Sequence, residues 1–422
     1  MFWLIEDSEQ LKKFNNRGYK EVFLEVIPQD PNTHPILGNI SLLYVRPLIA
    51  QKGYMISIDH SEAMSLDIDS ICAALNNIDK VYVRDKKSTL QYLPLKALLD
   101  ISPTYHTYIP ELTQAHKWIY SKNIPNSNRI VPVVKHYEYC ESIFKDLNVF
   151  NIACKDDYCQ WFNKRSSIVF SAIEANGLKV DKEKFEQHFH PIEGDYVYTQ
   201  YNLKTLTTRP SNSFNGVNYA ALNKDNGSRQ CFIPRNDLLV ELDISAYHPT
   251  LLAKLIGYDF GDKDIHAAFA EMYGVDYKKA KELTFKQLYG GVFEQYKNLE
   301  FFRKVTAYTD ELWDTFQYGG YLEMPQSKYI LRKEDTQDMK PQKLLNYVLQ
   351  NLETSTNVLI LWEILKLLRG KKTKLVLYTY DAFLFDYAKE DKETLKEIKN
   401  VIESFKLGAK ISYGNSYDFT ES

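Results

Sequence analysis

The sequence predicts a mixed α/β (α+β) protein of more than one domain, and three observations carry that reading. Three short strand-like runs, Glu21 to Ile27, Ile40 to Tyr44 and Tyr54 to Ile58, precede a helical stretch and a further strand. An apolar run, Leu238-Leu239-Val240-Glu241-Leu242, ends on Asp243. A second apolar run, Leu375 to Phe385, carries Asp381 in its middle. The 422 residues allow more than one domain at about 100–200 residues each. An apolar fraction of 44% and a charged fraction of 25% exclude a disordered or fibrous chain.

Along the chain, Pro28 to Pro35 is rich in turn formers and separates the first two strands. Ala63 to Asn77 reads as a helix and Lys80 to Val83 as a strand. The stretch from about 120 to 160 is polar and irregular, which places a domain boundary near 155. Trp161 to Asn176 has helical spacing, and Gly177 suits the residue just past a helix end. Tyr196 to Asn226 is rich in Ser, Thr and Asn, so loops and short strands are expected there. Helical patterns run from about 247 to 317, and Lys343 to Leu368 reads as a long amphipathic helix. The runs either side of Asp381 form a hairpin with the acid at its tip, and a last helix covers Lys392 to Lys406.

Composition narrows the function. No apolar run approaches the ~20 residues of a membrane-spanning helix. The start, Met1-Phe2-Trp3-Leu4-Ile5-Glu6-Asp7, turns acidic too soon for a signal peptide. Five cysteines make no disulfide framework, which points to a reducing, cytoplasmic compartment. The formal net charge of −3 excludes nucleic-acid binding by bulk charge but leaves room for a local basic groove. The 31 Tyr and 22 Phe supply core filling first, and base-stacking surface second.

Asp243 and Asp381 each end or interrupt an apolar strand, where an acid is costly unless paired or bound to a metal. Either alone reads as an edge or cap residue. Together they suit a site that holds two divalent ions about 3.5–4 Å apart for phosphoryl transfer. Two aspartates suffice for Mg²⁺, which takes one or two carboxylates plus substrate phosphates. A second pattern lies in the helix Lys278 to Gly291. Lys278, Lys281, Phe285 and Tyr289 fall on one face, cations before rings, as a nucleotide's phosphates and base would require. Taken alone that face reads as solvated lysines beside a core stripe. His266 lies upstream and adds a candidate phosphate donor.

The order of these pieces resembles the family A DNA polymerases, the DNA polymerase I type. The matching residues are Asp243-Ile244-Ser245, Asp264-Ile265-His266, the helix with Lys281, Phe285 and Tyr289-Gly290, the pair Asn346 and Gln350, and Tyr380-Asp381-Ala382. The match spans roughly residues 160 to 422. The resemblance implies a right-hand polymerase with an N-terminal RNase H-like, exonuclease-type domain over 1–155. It divides the rest into a thumb remnant (156–196), a palm (197–255 and 336–422) and fingers (256–335). It implies DNA-templated nucleotidyl transfer. Asp243 and Asp381 would hold two Mg²⁺ with help from the Ile244 carbonyl, and Lys281, His266 and Lys278 would hold the triphosphate. Phe285 and Tyr289 would meet the sugar and base. Arg209, in a Thr-rich strand over Thr205 to Ser213, would contact the primer–template duplex together with Asn346 and Gln350. The implied partners are primer–template DNA, dNTPs and a processivity factor.

Four departures from the family matter. Too few residues lie between His190 and Thr205 for a long helical thumb, so weak grip on DNA is expected. His248 stands where the family has a glutamate under the sugar; an imidazole either blocks a 2′-hydroxyl by size or donates to it, leaving sugar choice open. Ala382 replaces an auxiliary glutamate, and Tyr380 replaces a histidine. In the N-terminal third the family's Asp-x-Glu becomes Phe23-Leu24-Glu25, and Asp85 and Asp146 are poor matches for later acids. A nuclease without its bridging aspartate should be nearly dead, so proofreading loss is expected. Rival readings are a single-subunit RNA polymerase and a non-enzymatic replisome scaffold. Cys154 and Cys159 lack zinc spacing. The basic cluster from Lys366 to Lys374 reads equally as helix-end cations or a phosphate-backbone contact.

Overall fold

The computed structural model describes residues 2–101, 117, 122, 124–146, 160–212, 216–261 and 263–419. The Cys154–Cys159 pair and Ser213 fall outside them. The chain divides into two compact units, Met1–Ala175 and Asn176–Ser422. The division falls inside a helix, C-terminal to the boundary expected near 155.

The first unit contains β1 (Trp3–Ile5), α1 (Ser8–Asn15), β2 (Glu21–Pro28), β3 (Ile40–Pro47), β4 (Tyr54–Ser57), α2 (Ile68–Leu75), β5 (Lys80–Val83), α3 (Lys86–Tyr92), β6 (Leu98–Asp100), α4 (Val133–Asp146) and the bulk of α5 (Gln160–Asn176). Its strands form one sheet in the order β1-β4-β3-β2-β5-β6. β2, β3 and β4 are antiparallel, and β2, β5 and β6 are parallel. Helices cover both faces, which is why the strands read as apolar runs rather than alternations. Val22, Leu24, Leu43 and Val45 pack with Leu11, Phe14, Ile71 and Leu75 on one face. Phe23, Leu42, Tyr44 and Met55 pack with Cys140, Ile143 and Phe144 on the other. The helix expected over Ala63 to Asn77 is shorter because Asp67 caps it, accepting from the Ser70 N–H at 2.8 Å.

The second unit opens at Gly177, whose φ of +60° ends α5 in the left-handed conformation. A Cβ there would lie 2.8 Å from the Tyr198 ring, so glycine is required twice over. Then come β7 (Leu178–Lys179), α6 (Lys182–His188), β8 (Tyr196–Val197), β9 (Leu238–Ile244), α7 (Tyr247–Leu255), α8 (Ile265–Tyr273), α9 (Tyr277–Gly290) and α10 (Glu300–Gly319). After them follow β10 (Tyr321–Glu323), β11 (Ile330–Arg332), α11 (Pro341–Leu367), β12 (Lys374–Thr379), β13 (Ala382–Tyr387), α12 (Lys392–Ser404) and β14 (Ala409–Gly414). The central sheet is antiparallel, ordered β12-β13-β9-β14. The 27-residue α11 packs against α7, α9, α10 and α12 and is the hub of the unit. Of the Thr-rich strand expected over Thr205 to Ser213, the described part, Thr205 to Asn212, is instead a loop, closed by an isolated bridge between Asn202 and Ser211. Thr208 takes φ +60° there, and Thr205 Oγ1 donates to the Arg209 carbonyl at 2.9 Å, so the side chains bond the loop to itself rather than to a ladder.

Candidate active site

Asp243 is the last residue but one of β9, and Asp381 stands in the two-residue turn joining β12 to β13. β13 pairs antiparallel with β9 and sets Ala382 opposite Asp243. The Ile244 N–H donates to the Asp381 carbonyl at 2.8 Å. One backbone bond therefore ties together two acids 138 positions apart in sequence (381 − 243). Ile244 itself is buried.

The turn that carries Asp381 is held from several sides. Tyr380 takes φ +61°, and Asn357 Nδ2 donates to its carbonyl at 2.8 Å. The Arg209 guanidinium lies 3.6 Å from the Tyr380 ring centroid. Tyr201 Oη donates to the Tyr378 carbonyl at 2.9 Å and accepts from the Tyr378 N–H at 2.8 Å.

Both carboxylate tips reach solvent, yet protein on most sides withholds part of their hydration. That loss of hydration pushes Asp243 up from the ordinary carboxylate range, against the pull of Lys281, Lys224 and Lys410. Asp381 is pushed up to about 6, first by burial, then by the charges of Asp243 and Glu353. Asp243 raises Asp381, and the two acids, both facing water, form a donor set that a divalent cation would relieve. Among the described residues no third His, Cys, Asp or Glu completes a metal-holding cluster. Two carboxylates with substrate phosphates completing the shell match what Mg²⁺ accepts.

The α9 face forms as expected. Asp276 caps the helix by accepting from the Lys279 N–H at 2.9 Å. Ala280, Thr284, Gln287 and Leu288 are the buried side, leaving Lys278, Lys281 and Tyr289 exposed and Phe285 half-buried. Phe285 and Tyr289 stack at 5.9 Å between centroids with planes 12° apart. The stripe is thus not part of the core. His266 is buried, with its ring 5.6 Å from that of Tyr277 and 6.2 Å from that of Phe285. Burial first, and the Lys281 charge second, push its ring below the usual histidine range, so it stands neutral. Asp264 is the cap of α8, accepting from the Ala267 N–H at 2.9 Å, which accounts for that residue without any ligand.

Around His248 the structure shows what the sequence concealed. His248 is buried, with Nε2 at 2.6 Å from Glu353 Oε2 and Nδ1 at 2.7 Å from Tyr289 Oη. Glu353 also pairs with Arg209, Nε to Oε1 at 3.1 Å. Burial, then the Glu353 charge, push the Tyr289 phenol up to about 12. Asn346 Nδ2 donates to the Tyr289 carbonyl at 3.4 Å, while Gln350 sits one turn further along α11. Sequence reasoning missed Glu353, Asn357, Lys224 and Lys410.

The structure is similar to that of the POL domain of Pol1 from M. smegmatis, solved in complex with DNA primer-template and dNTP. The TM-score is 0.71 at 12% identity, over 99% of this chain and 100% of that one. This is the fold of a DNA polymerase POL domain. No family model and no curated protein matches the sequence. Within this polymerase fold the two acids, the α9 face and the His248 network lie in one unit, Asn176–Ser422. No helix among the described residues is long and apolar enough to cross a membrane.

Proposed function

We propose that the chain is a template-directed DNA polymerase that adds dNTPs to a primer 3′ end by two-metal nucleotidyl transfer. The observation that carries this is the bond from the Ile244 N–H to the Asp381 carbonyl at 2.8 Å, which brings the two acids together, with the Lys281 charge felt at Asp243. The fold supports the same reading. In it, β9 and the β12–β13 hairpin are the palm and α8 to α10 the fingers.

Asp243 and Asp381 would hold the ions, with the Ile244 carbonyl as an added ligand. Two Mg²⁺ there would activate the attacking 3′-hydroxyl and stabilise the leaving pyrophosphate. The rest falls to the chain. Lys281, with Lys278 further out, meets the triphosphate as a cation that pairs with no acid among the described residues. His266, being neutral, serves at most as a hydrogen-bond partner and adds no charge. Phe285 offers a ring face to the nucleotide, and Tyr289 closes the far end. Arg209, Asn346 and Gln350 face the primer–template duplex. Primer extension with Mg²⁺ and dNTPs tests the reading; no incorporation on a primed template, with or without added replication proteins, would favour the scaffold alternative.

We further propose that the first unit is a remnant of a 3′–5′ exonuclease. Its sheet is mixed, with β2 between an antiparallel and a parallel neighbour, which is compatible with that reading. At the position where a nuclease needs its bridging acid stands Phe23, fully buried in the core. Glu25 is neutralised by a short ion pair with Arg84. Asp85, a candidate for a later acid, caps α3 by accepting from the Ser88 N–H at 3.2 Å. Asp146 is an exposed helix-end residue. An end-labelled primer with a mismatched 3′ terminus should stay intact with Mg²⁺ for as long as extension is linear; excision that Glu25→Ala abolishes would refute this.

Between Gly177 and β9 the described residues hold one α-helix, the seven-residue α6. No long helical hairpin stands there to wrap a duplex. In a single-encounter experiment with a DNA trap, the isolated chain should therefore yield short products, lengthened by a partner that tethers it to DNA. Long trapped products from the chain alone would overturn the reduced-thumb reading.

A further inference from the structure

β9 lies between β13, whose turn carries Asp381, and the edge strand β14. The register of β14 sets Lys410 directly opposite Asp243, so the two side chains share one face of the sheet. Lys410 is exposed, and among the described residues no further strand pairs with β14. The Ser245 N–H donates to the Gly408 carbonyl at 2.9 Å and ties the chain entering β14 to the end of β9. Lys224, in the loop before β9, is a second exposed cation. That loop is closed on itself by the Ser228 hydroxyl, which donates to the Asn223 carbonyl at 3.2 Å, and by Arg229, which donates to the Leu222 carbonyl at 3.3 Å. The charges of both lysines are felt at Asp243, and that of Lys224 also at Glu241, two residues earlier on the same face of β9. Among the described residues neither lysine forms an ion pair. Cations beside an acid that holds a metal ion repel that ion, and an arriving anion is what matches them.

We propose that Lys410 and Lys224 are phosphate-binding residues that hold the leaving pyrophosphate on the flank of Asp243 opposite Asp381. The proposal rests on the polymerase reading above and assigns a place to its product. In nucleotidyl transfer the primer O3′ forms a bond to the α-phosphorus. The bond from that phosphorus to the bridging oxygen breaks, its electron pair leaves on pyrophosphate, and the hydroxyl proton passes to water. Attacking and leaving oxygens lie in line, on opposite sides of the phosphorus. Arg209, assigned above to the duplex, lies against the Tyr380 ring next to Asp381. The primer end then comes from the Asp381 flank, and pyrophosphate departs toward β14. Pyrophosphate carries more negative charge than Lys281 alone can match, and Lys410 and Lys224 supply the remainder.

Pyrophosphorolysis, the reverse reaction, reads this directly. Lys410→Met keeps a long side chain on an exposed edge strand and removes its charge, whereas Lys410→Arg keeps the charge. In the full chain, the KM for pyrophosphate should rise about tenfold in Lys410→Met and further in the double variant with Lys224→Met. It should stay within about threefold of wild type in Lys410→Arg. The Kd for primer–template, measured without nucleotide, should not change. Without chemistry, calorimetric titration of pyrophosphate into the complex with primer–template, with Ca²⁺ in place of Mg²⁺, should show the same loss of affinity. An unchanged KM for pyrophosphate in both Lys410→Met and the double variant would overturn the proposal, as would an equal rise in the Arg variant. Weaker primer–template binding at unchanged pyrophosphate affinity would overturn it too, and would make these lysines contacts of the DNA backbone. A wild type that neither extends a primer nor reverses the reaction would remove the polymerase reading and this site with it, whereas extension with a pyrophosphate KM that the variants leave unmoved removes the pyrophosphate site alone.

Discussion

Asp381→Asn should abolish primer extension, by on the order of 10³-fold or more, the scale on which a preorganised electrostatic group contributes. Asp243→Asn should do the same. Asp243 stands on β9 and Asp381 in the turn that leads into β13, its partner strand; Ala382 lies opposite Asp243, and Glu353 is occupied by Arg209 and His248. An asparagine keeps the shape and the turn but loses the charge that would hold an ion. Extension retained by either variant would refute the two-metal assignment.

The same substitution should stabilise the metal-free protein. Asp381 is pushed up to about 6 in the fold, above the unfolded value of 3.8. The folded form then binds the proton more tightly than the unfolded form, and this group's contribution is fully present below pH about 4. It is lost as pH rises through 6, so at neutral pH the ionised pair opposes folding. Asp381→Asn removes that opposition, and the melting temperature without Mg²⁺ should rise at pH 7 and change little at pH 4. The gain is modest because the carboxylate tip reaches water. For the wild type, added Mg²⁺ should raise the melting temperature at pH 7, and the variant should lose that response. A variant that melts lower than wild type at pH 7, with no added metal, would show that the acids are not in conflict.

How far the site was legible follows from how its residues are built in. Asp243 and Asp381 stood out because an acid in an apolar strand violates the pattern around it. The α9 face stood out because its cations and rings share one helical period. Glu353 and Asn357 did not, because a long amphipathic helix reads as packing. The trace they left is the run Asn351-Leu352-Glu353-Thr354-Ser355-Thr356-Asn357, buried throughout in a helix otherwise rich in Leu and Ile. Polar residues on every side of a core helix need partners from several elements, and only tertiary structure supplies them. Lys410 was hidden for another reason. It sits on β14, an edge strand with exposed Ile411 and Tyr413, so no clean alternation marks it. The register that sets Lys410 opposite Asp243 comes from pairing distant segments. In the first unit, β1 and β6 have three residues each, too few to show a period.

Lys281→Met should lower kcat/KM for the incoming nucleotide on the order of 10²-fold, mostly through KM, while Lys278→Met should change it far less. Four lysines line α9, and the structure separates them. Lys279 and Lys286 both pair with Glu282, at 3.2 and 2.6 Å, so their charge is already matched. Among the described residues neither Lys278 nor Lys281 forms an ion pair. Of these two, Lys281 is the one whose charge is felt at Asp243, which it pulls down, and at His266, which it also pulls down. A cation whose charge is felt at both Asp243 and His266 is the one the proposed triphosphate contact calls for. Removing it takes away the counter-charge of the triphosphate and lets His266 titrate closer to its ordinary range. The loss should therefore shrink as salt is raised, because screening weakens the wild type toward the variant. Equal losses at 278 and 281 would mean that α9 attracts nucleotides by diffuse charge, and the assignment of Lys281 to the triphosphate would fall.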